Sequence, residues 1–306
     1  MTRSAFAQLA RLPLVCLGVV TIIFLIFKMV PGDEAVLMAG ATASQADIDL
    51  LRTRLGLDRP LLVQYLDRVG GLLRGDLGYS PTFRGNPLPH VIARLPATAA
   101  LAAASIVLAV LLGIPAGVTA ACCHGRAPDL ALSAAEIGLL AVPNFWLGMV
   151  LILLLSVELR WLPAFGFGSA SALVMPTLAL SARLIALVAR TTRGLMLEEL
   201  RKDYVRTAKA KGLGPTTIVA RHVLRNALIP TITVIGLQTG YLLGGSVVVE
   251  RLFAWPGIGD LMITAIGARD YTLVQAITIV FVAGFLVVNF VVEILYGIAN
   301  PRLRHG

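Results

Sequence analysis

Charge is scarce in this chain. Asp, Glu, Lys and Arg make up 14% of its 306 residues, against about 25% in a soluble domain. The shortage counts against a soluble globular protein, and more strongly against disorder. The charge present leans basic, with 26 Lys and Arg against 17 Asp and Glu for a net +9. A nucleic-acid footprint needs such cations clustered on a wet surface, and a mean hydropathy of +0.84 argues against one. Cysteine is scarce too: Cys16, Cys122 and Cys123 give no disulfide framework and no CxxC pair. The histidines, His90, His124, His222 and His305, are scattered, so no metal site is expected. There is no GxxxxGK[ST] phosphate loop and no GxSxG, HExxH or protein-kinase motif. No catalytic residue is therefore expected.

Apolar sequence is what the chain has in excess, at 57% of residues. Six stretches approach or exceed the roughly 20 residues that cross a bilayer: 12–30, 96–121, 130–157, 172–189, 227–249 and 274–298. Each must be helical, because lipid offers no partner for open backbone groups. The first follows Arg3 and Arg11 and looks like a secretory leader. Its apolar run is long enough to span, so it reads as an uncleaved first crossing. Pro115, Pro143 and Pro176 should kink or start helices. Gly113, Gly117, Gly148, Gly244 and Gly245 allow close helix contact.

Two polar stretches separate the spans. In 31–95, Ser44 caps a helix running to Leu55, with Asp47 at the capping-box position and Gly56 as its stop. Pro60 opens a second helix around 61–73. The other stretch, 190–226, holds nine basic residues (Arg190, Arg193, Arg201, Lys202, Arg206, Lys209, Lys211, Arg221, Arg225) and three acidic ones (Glu198, Glu199, Asp203). The 31–95 stretch balances seven Arg with seven acids. The positive-inside rule therefore puts 190–226 in the cytoplasm, with both termini and the 122–129 loop, and 31–95 outside.

The 190–226 stretch is patterned. Leu195, Glu198, Glu199 and Tyr204 continue the fourth span as helix. Ala208, Ala210, Gly212 and Gly214 make a small-residue turn, and a basic amphipathic helix runs from about Pro215 to Leu228 into Pro230. Two readings fit: a rigid lever against a soluble partner, or a loop anchored to anionic lipid.

The sequence DYVRTAKAKGLGPTTIVARHVLRNALIP, from Asp203, resembles the cytoplasmic coupling segment of ATP-binding-cassette importer permeases of the dipeptide/oligopeptide/nickel subfamily. MVPGD at 29–33, LGLDRPLLVQYLDRVGGLLRGDLGYS at 55–80, GGSVVVERLFAWPGIGDLM at 244–262 and the pair Asn300-Pro301 fit the same subfamily in order. The general importer motif begins Glu-Ala-Ala. Aligned on Gly212, Arg206, Thr207 and Ala208 stand there, so only Ala208 and Gly212 match, which looks like the subfamily's own version.

The resemblance implies an all-α polytopic protein of the type I importer permease fold, with six transmembrane helices and an external insertion after the first. It implies residues 1–30 as N-terminal tail and first helix, 31–95 as external region, 96–298 as the five-helix core and 299–306 as cytoplasmic tail. It implies a non-catalytic subunit that binds no cofactor of its own, ATP and Mg being used by two cytoplasmic ATPases. A second permease (as a heterodimer), an external substrate-binding protein and the lipid bilayer complete the partners, with no nucleic acid. The place is the bacterial inner (plasma) membrane. The cargo implied is a short peptide, with nickel or a metal–metallophore complex, or glutathione, as alternatives. A stand-alone transporter or a membrane-embedded enzyme is the more distant alternative. The ATPase-coupling residues would be Tyr204, Arg206, Thr207, Ala208, Ala210, Gly212, Arg221, His222 and Asn226.

Charges inside spans are costly and mark function by default. Lys28 lies near a span end and can snorkel. Glu136 and Arg183 lie seven residues from Asp129 and Arg190. Both are thus about 10 Å from the cytoplasmic boundary, and they are expected to form an intramembrane ion pair. The rival readings are that Arg183 faces the solute path and meets a substrate carboxylate, or that the two simply snorkel. Glu250, Trp255, Pro256 and Gly257 follow span five as a candidate outer gate or binding-protein contact, or as a re-entrant turn that only fixes helix geometry.

Overall fold

Ordinary backbone chemistry sets the helix ends. In the computed structural model, which describes residues 2–29, 34–39 and 43–299, every named element is a helix. They are α1 (Thr2–Met29), α2 (Glu34–Ala39), α3 (Gln45–Arg54), α4 (Leu61–Leu73), α5 (Leu88–Cys122), α6 (Ala127–Ala141), α7 (Asn144–Leu151), α8 (Ala170–Leu200), α9 (Asp203–Ala210), α10 (Pro215–Thr217), α11 (Leu224–Leu252), α12 (Ile258–Gly267) and α13 (Tyr271–Ala299). Wide π turns at Ile152–Glu158 and Ile218–Val223 continue α7 and lead into α11. Residues 30–33 of the MVPGD motif, Asn300, Pro301, Arg302 and Arg304 lie outside the described residues, as do the side chains of Arg3, Arg11 and Glu293.

Among the described residues four helical stretches are long and apolar enough to cross a membrane: Leu88–Cys122, Ala170–Leu200, Pro215–Gly240 and Tyr271–Val291. The chain is a multi-pass membrane protein. The expected first span falls on α1, where Leu17–Ile26 is the apolar stretch among the described residues.

The expected third span is not one straight helix. Ala127–Ala141 and Asn144–Glu158 meet at 102°. The cause is local: Pro143 disfavours helical backbone at the residue before it, and Val142 is extended at φ −83°, ψ 124°. Pro143 then opens α7.

Two compact units make up the chain. One holds Ala99–Trp255 and the chain from Val288, the other Thr2–Thr98 and Pro256–Val287. In the second unit Ser44 and Asp47 form the expected capping box, and Gly56 stops α3 at φ +64°. The core of this unit gathers Leu77, Val91, Ile258, Leu261, Leu273 and Ile277. Asp270 is buried there. It caps α13 through Leu273 N (2.9 Å) and accepts from Ser80 Oγ (2.5 Å) and Thr82 N (3.1 Å).

In the first unit, glycine sets how near the helices come. A side chain at Gly113 would meet Ile185 O at 2.9 Å, and one at Gly117 would meet Ala189 O at 2.4 Å. Gly148 is as tight, against Leu252 at 2.5 Å. Gly245 makes only ordinary contacts, and Gly244 faces open space.

Candidate functional site

The polar segment after α8 folds back as a corner. α8 ends at Leu200, two residues of turn follow, and α9 starts at Asp203. Tyr204 therefore belongs to α9 and not to a continuation of the fourth span. The C-terminal end of α9 is a Schellman motif: Leu213 N donates to Ala208 O (3.2 Å) and Gly212 N to Lys209 O (3.0 Å). Gly212 takes the left-handed conformation this needs, φ +80°. Ala208 and Ala210 are helical, so the expected small-residue turn shrinks to the residues around Gly212 and Gly214. From Pro215 the chain stays helical through the π turn into α11, past Pro230.

One face of this corner is seated. Val205, Ala208, Ile218 and Val223 are buried against Ala121 and Met196. A buried Val or Ile side chain contributes about 1.5–3 kcal/mol relative to exposure. Tyr204 ties three elements together. Its hydroxyl donates to Glu199 Oε2 (2.7 Å) and accepts from Asn226 Nδ2 (3.4 Å). Burial, with the Glu199 carboxylate beside it, pushes the Tyr204 phenol up, so it keeps its proton. Lys202 bonds the other oxygen of Glu199, which holds its ammonium pKa above the usual lysine value.

The other face is open. Residues 209–217 form an unbroken exposed run at the tip, and Arg206, Thr207, Arg221 and His222 are exposed beside it. Of the nine expected coupling residues, Arg206, Thr207, Ala210, Gly212, Arg221 and His222 thus lie on the open side. Tyr204 and Asn226 hold the corner together, and Ala208 is turned inward to seat α9.

Sequence reasoning missed a clasp at the base of α8. Buried Asp129 accepts from Arg193 Nε (2.6 Å), Arg193 Nη2 (2.9 Å) and Gly125 N (2.9 Å), with His124 Nδ1 at 3.1 Å. This is the two-pronged pairing that arginine makes with carboxylates. The available signal was an acid placed two residues into a helix beside a basic loop.

The expected pair of Glu136 and Arg183 is not formed. Glu136 is buried, its Oε1 has no hydrogen-bond partner, and the cations nearest it in influence are Arg193 and Arg190. Arg183 sits ten residues before Arg193, about 80° round the helix from it, and is exposed where Glu136 is buried. It lines a cavity with Asn144 and Gln238 instead.

At the candidate outer gate, Glu250 and Trp255 are buried. Trp255 N closes the end of α11 on Glu250 O (2.8 Å), with Ala254 left-handed at φ +50°. The Trp255 ring packs edge-on against Phe167, centroids 4.9 Å apart. Gly257 is the N-cap of α12, and Pro256 is half-buried.

Residues 113–305 match the family model described as binding-protein-dependent transport system inner membrane component, and residues 2–102 match the model for its N-terminal part. The chain belongs to that family. It is 42% identical over 284 residues to the glutathione transport system permease protein GsiC of Escherichia coli strain K12, covering 93% of each chain. The GsiC protein of Shigella boydii serotype 4 is 41% identical over the same length and coverage. Among solved structures, an inward-facing MetNI methionine ABC transporter matches at a TM-score of 0.58 and 19% identity, covering 69% of this chain and 96% of that one. A crystal structure of an amino acid ABC transporter with histidines matches at 0.52 and 16%, covering 70% and 94%. These structures speak for the fold. The protein is therefore a permease subunit of a binding-protein-dependent ABC importer.

Proposed function

We propose that this permease carries short peptides inward as one half of a channel built from two similar subunits, with residues 209–217 docked on one of two cytoplasmic ATPases. One observation carries the docking: an exposed nine-residue apex is rigidly held from below by buried Val205, Ala208 and Ile218. A rigid, uncovered corner joined directly to two spans can pass the motion of a partner into the membrane. ATP-driven closure would swing it and open the path outward, and hydrolysis would reset it, as rigid-body alternating access. ATP and Mg chemistry stays with the partners. The GsiC relatives favour glutathione, itself a short peptide, over nickel or a metallophore as cargo.

Full-length chain purified with its neighbours tests this. Gly212→Val places a β-branched residue at φ +80°, a genuine outlier costing on the order of 1–3 kcal/mol. No atom lies within 4 Å of a side chain there, so the effect is purely on the backbone. Co-purified ATPase should fall about tenfold, the equivalent of about 1.4 kcal/mol, with membrane accumulation unchanged. Undiminished ATPase, or solute movement by the chain alone in liposomes, would refute the reading.

A further inference from the structure

Several hydroxyls within the apolar helices of the Ala99–Trp255 unit return to their own backbone. Ser105, Thr231 and Thr239 each donate to the carbonyl four residues earlier. Three longer polar side chains have no such outlet. Arg183 on α8, Asn144 at the start of α7 and Gln238 on α11 line one cavity of about 50 Å³, whose remaining walls are leucine side chains. No hydrogen bond or ion pair joins any of the three to another described residue. The helices that carry them pack against one another.

A guanidinium well inside an apolar span is retained where it meets water or a partner. Lipid is a poor neighbour here, because two amides would be left unsatisfied beside the cation. The groups converging on the cavity include no acid. A guanidinium fork flanked by amide N–H donors fits a carboxylate in charge and geometry. Size narrows the ligand further. A single water needs about 10–15 Å³ of such space, so 50 Å³ takes one carboxylate or a few waters and cannot enclose a whole peptide. It is a contact point beside a path.

We propose that Arg183, with Asn144 and Gln238, reads a carboxylate of the solute as it crosses. This rests on the transport reading, since the cavity must open onto the solute path. It also gives Arg183 a selecting role separate from that of the binding protein.

Leu187 lines the same cavity and provides a reporter. Leu187→Cys is placed in the full-length chain with Cys16, Cys122 and Cys123 replaced by alanine, in membrane vesicles. Labelling rates are measured with an anionic and a cationic methanethiosulfonate, which react with the thiolate in water. Both reagents should label the cysteine. Arg183→Gln should lower the anionic-to-cationic rate ratio about tenfold, the low end of electrostatic focusing in a cleft, and Arg183→Lys should keep most of it. S-Methylglutathione, whose blocked thiol does not consume the reagent, should slow labelling while its diethyl ester does not. An unreactive cysteine places Arg183 against a protein partner and overturns the proposal. So does a ratio indifferent to Arg183→Gln, or labelling that S-methylglutathione slows no more than its diethyl ester does. None of these rates depends on an ATPase, so this result and the co-purification result can fail separately.

Discussion

Exchanging residues 209–217 for glycine and serine at equal length should reduce ATP-dependent uptake to background. It should leave the chain in the membrane. The exchange removes the Schellman turn at Gly212 and the exposed surface around it, but keeps the topology and the buried seat of Val205 and Val223. Nine flexible residues spread over about 16 Å root-mean-square, so no docking group keeps a defined position. Hydrolysis by the partner ATPases should then stop responding to solute. Uptake in reconstituted transporter, beside accumulation of the chain, is the measurement. A variant that still transports would mean the apex is a passive loop.

Gly117→Val should prevent stable insertion. The added Cβ would stand 2.4 Å from Ala189 O and 2.7 Å from Thr192 Cβ. Overpacking costs about 1–3 kcal/mol where side chains can yield. Here the obstacle is backbone, so the two spans must part along their length, and Gly113 one turn away loses its contact as well. Membrane accumulation should fall several-fold. Gly138→Ala is the control, because nothing lies within 4 Å of a side chain at that position. Equal accumulation of both variants would show that α5 and α8 do not need this close approach.

What could be read from the sequence was whatever local chemistry decides. Ser44 with Asp47 gave a cap and Gly56 a stop, because both depend on residues a few positions apart. The corner at Gly212 was readable for the same reason, although its turn came out shorter. The 102° break at Val142–Pro143 was half-readable. Proline marks the place, but an unbroken apolar run does not say whether the two halves stay collinear. The relation of Glu136 to Arg183 was not readable, because equal depth says nothing about which side of a helix a residue takes. Only the arrangement of α6 on α8, held by Asp129 and Arg193, settles that. The same blindness hid the cavity at Arg183, whose other polar walls, Asn144 and Gln238, come from distant parts of the chain.

The central claim is that the exposed corner touches an ATPase. A photo-reactive residue at Leu213, on the apex, tests it against one at Arg84, exposed in the other polar region. Crosslinking is carried out in membranes that contain the partner subunits. The account predicts an adduct with the ATPase from position 213 and none from position 84. An ATPase adduct from position 84, or none from position 213 in a complex that still hydrolyses ATP in response to solute, would contradict it.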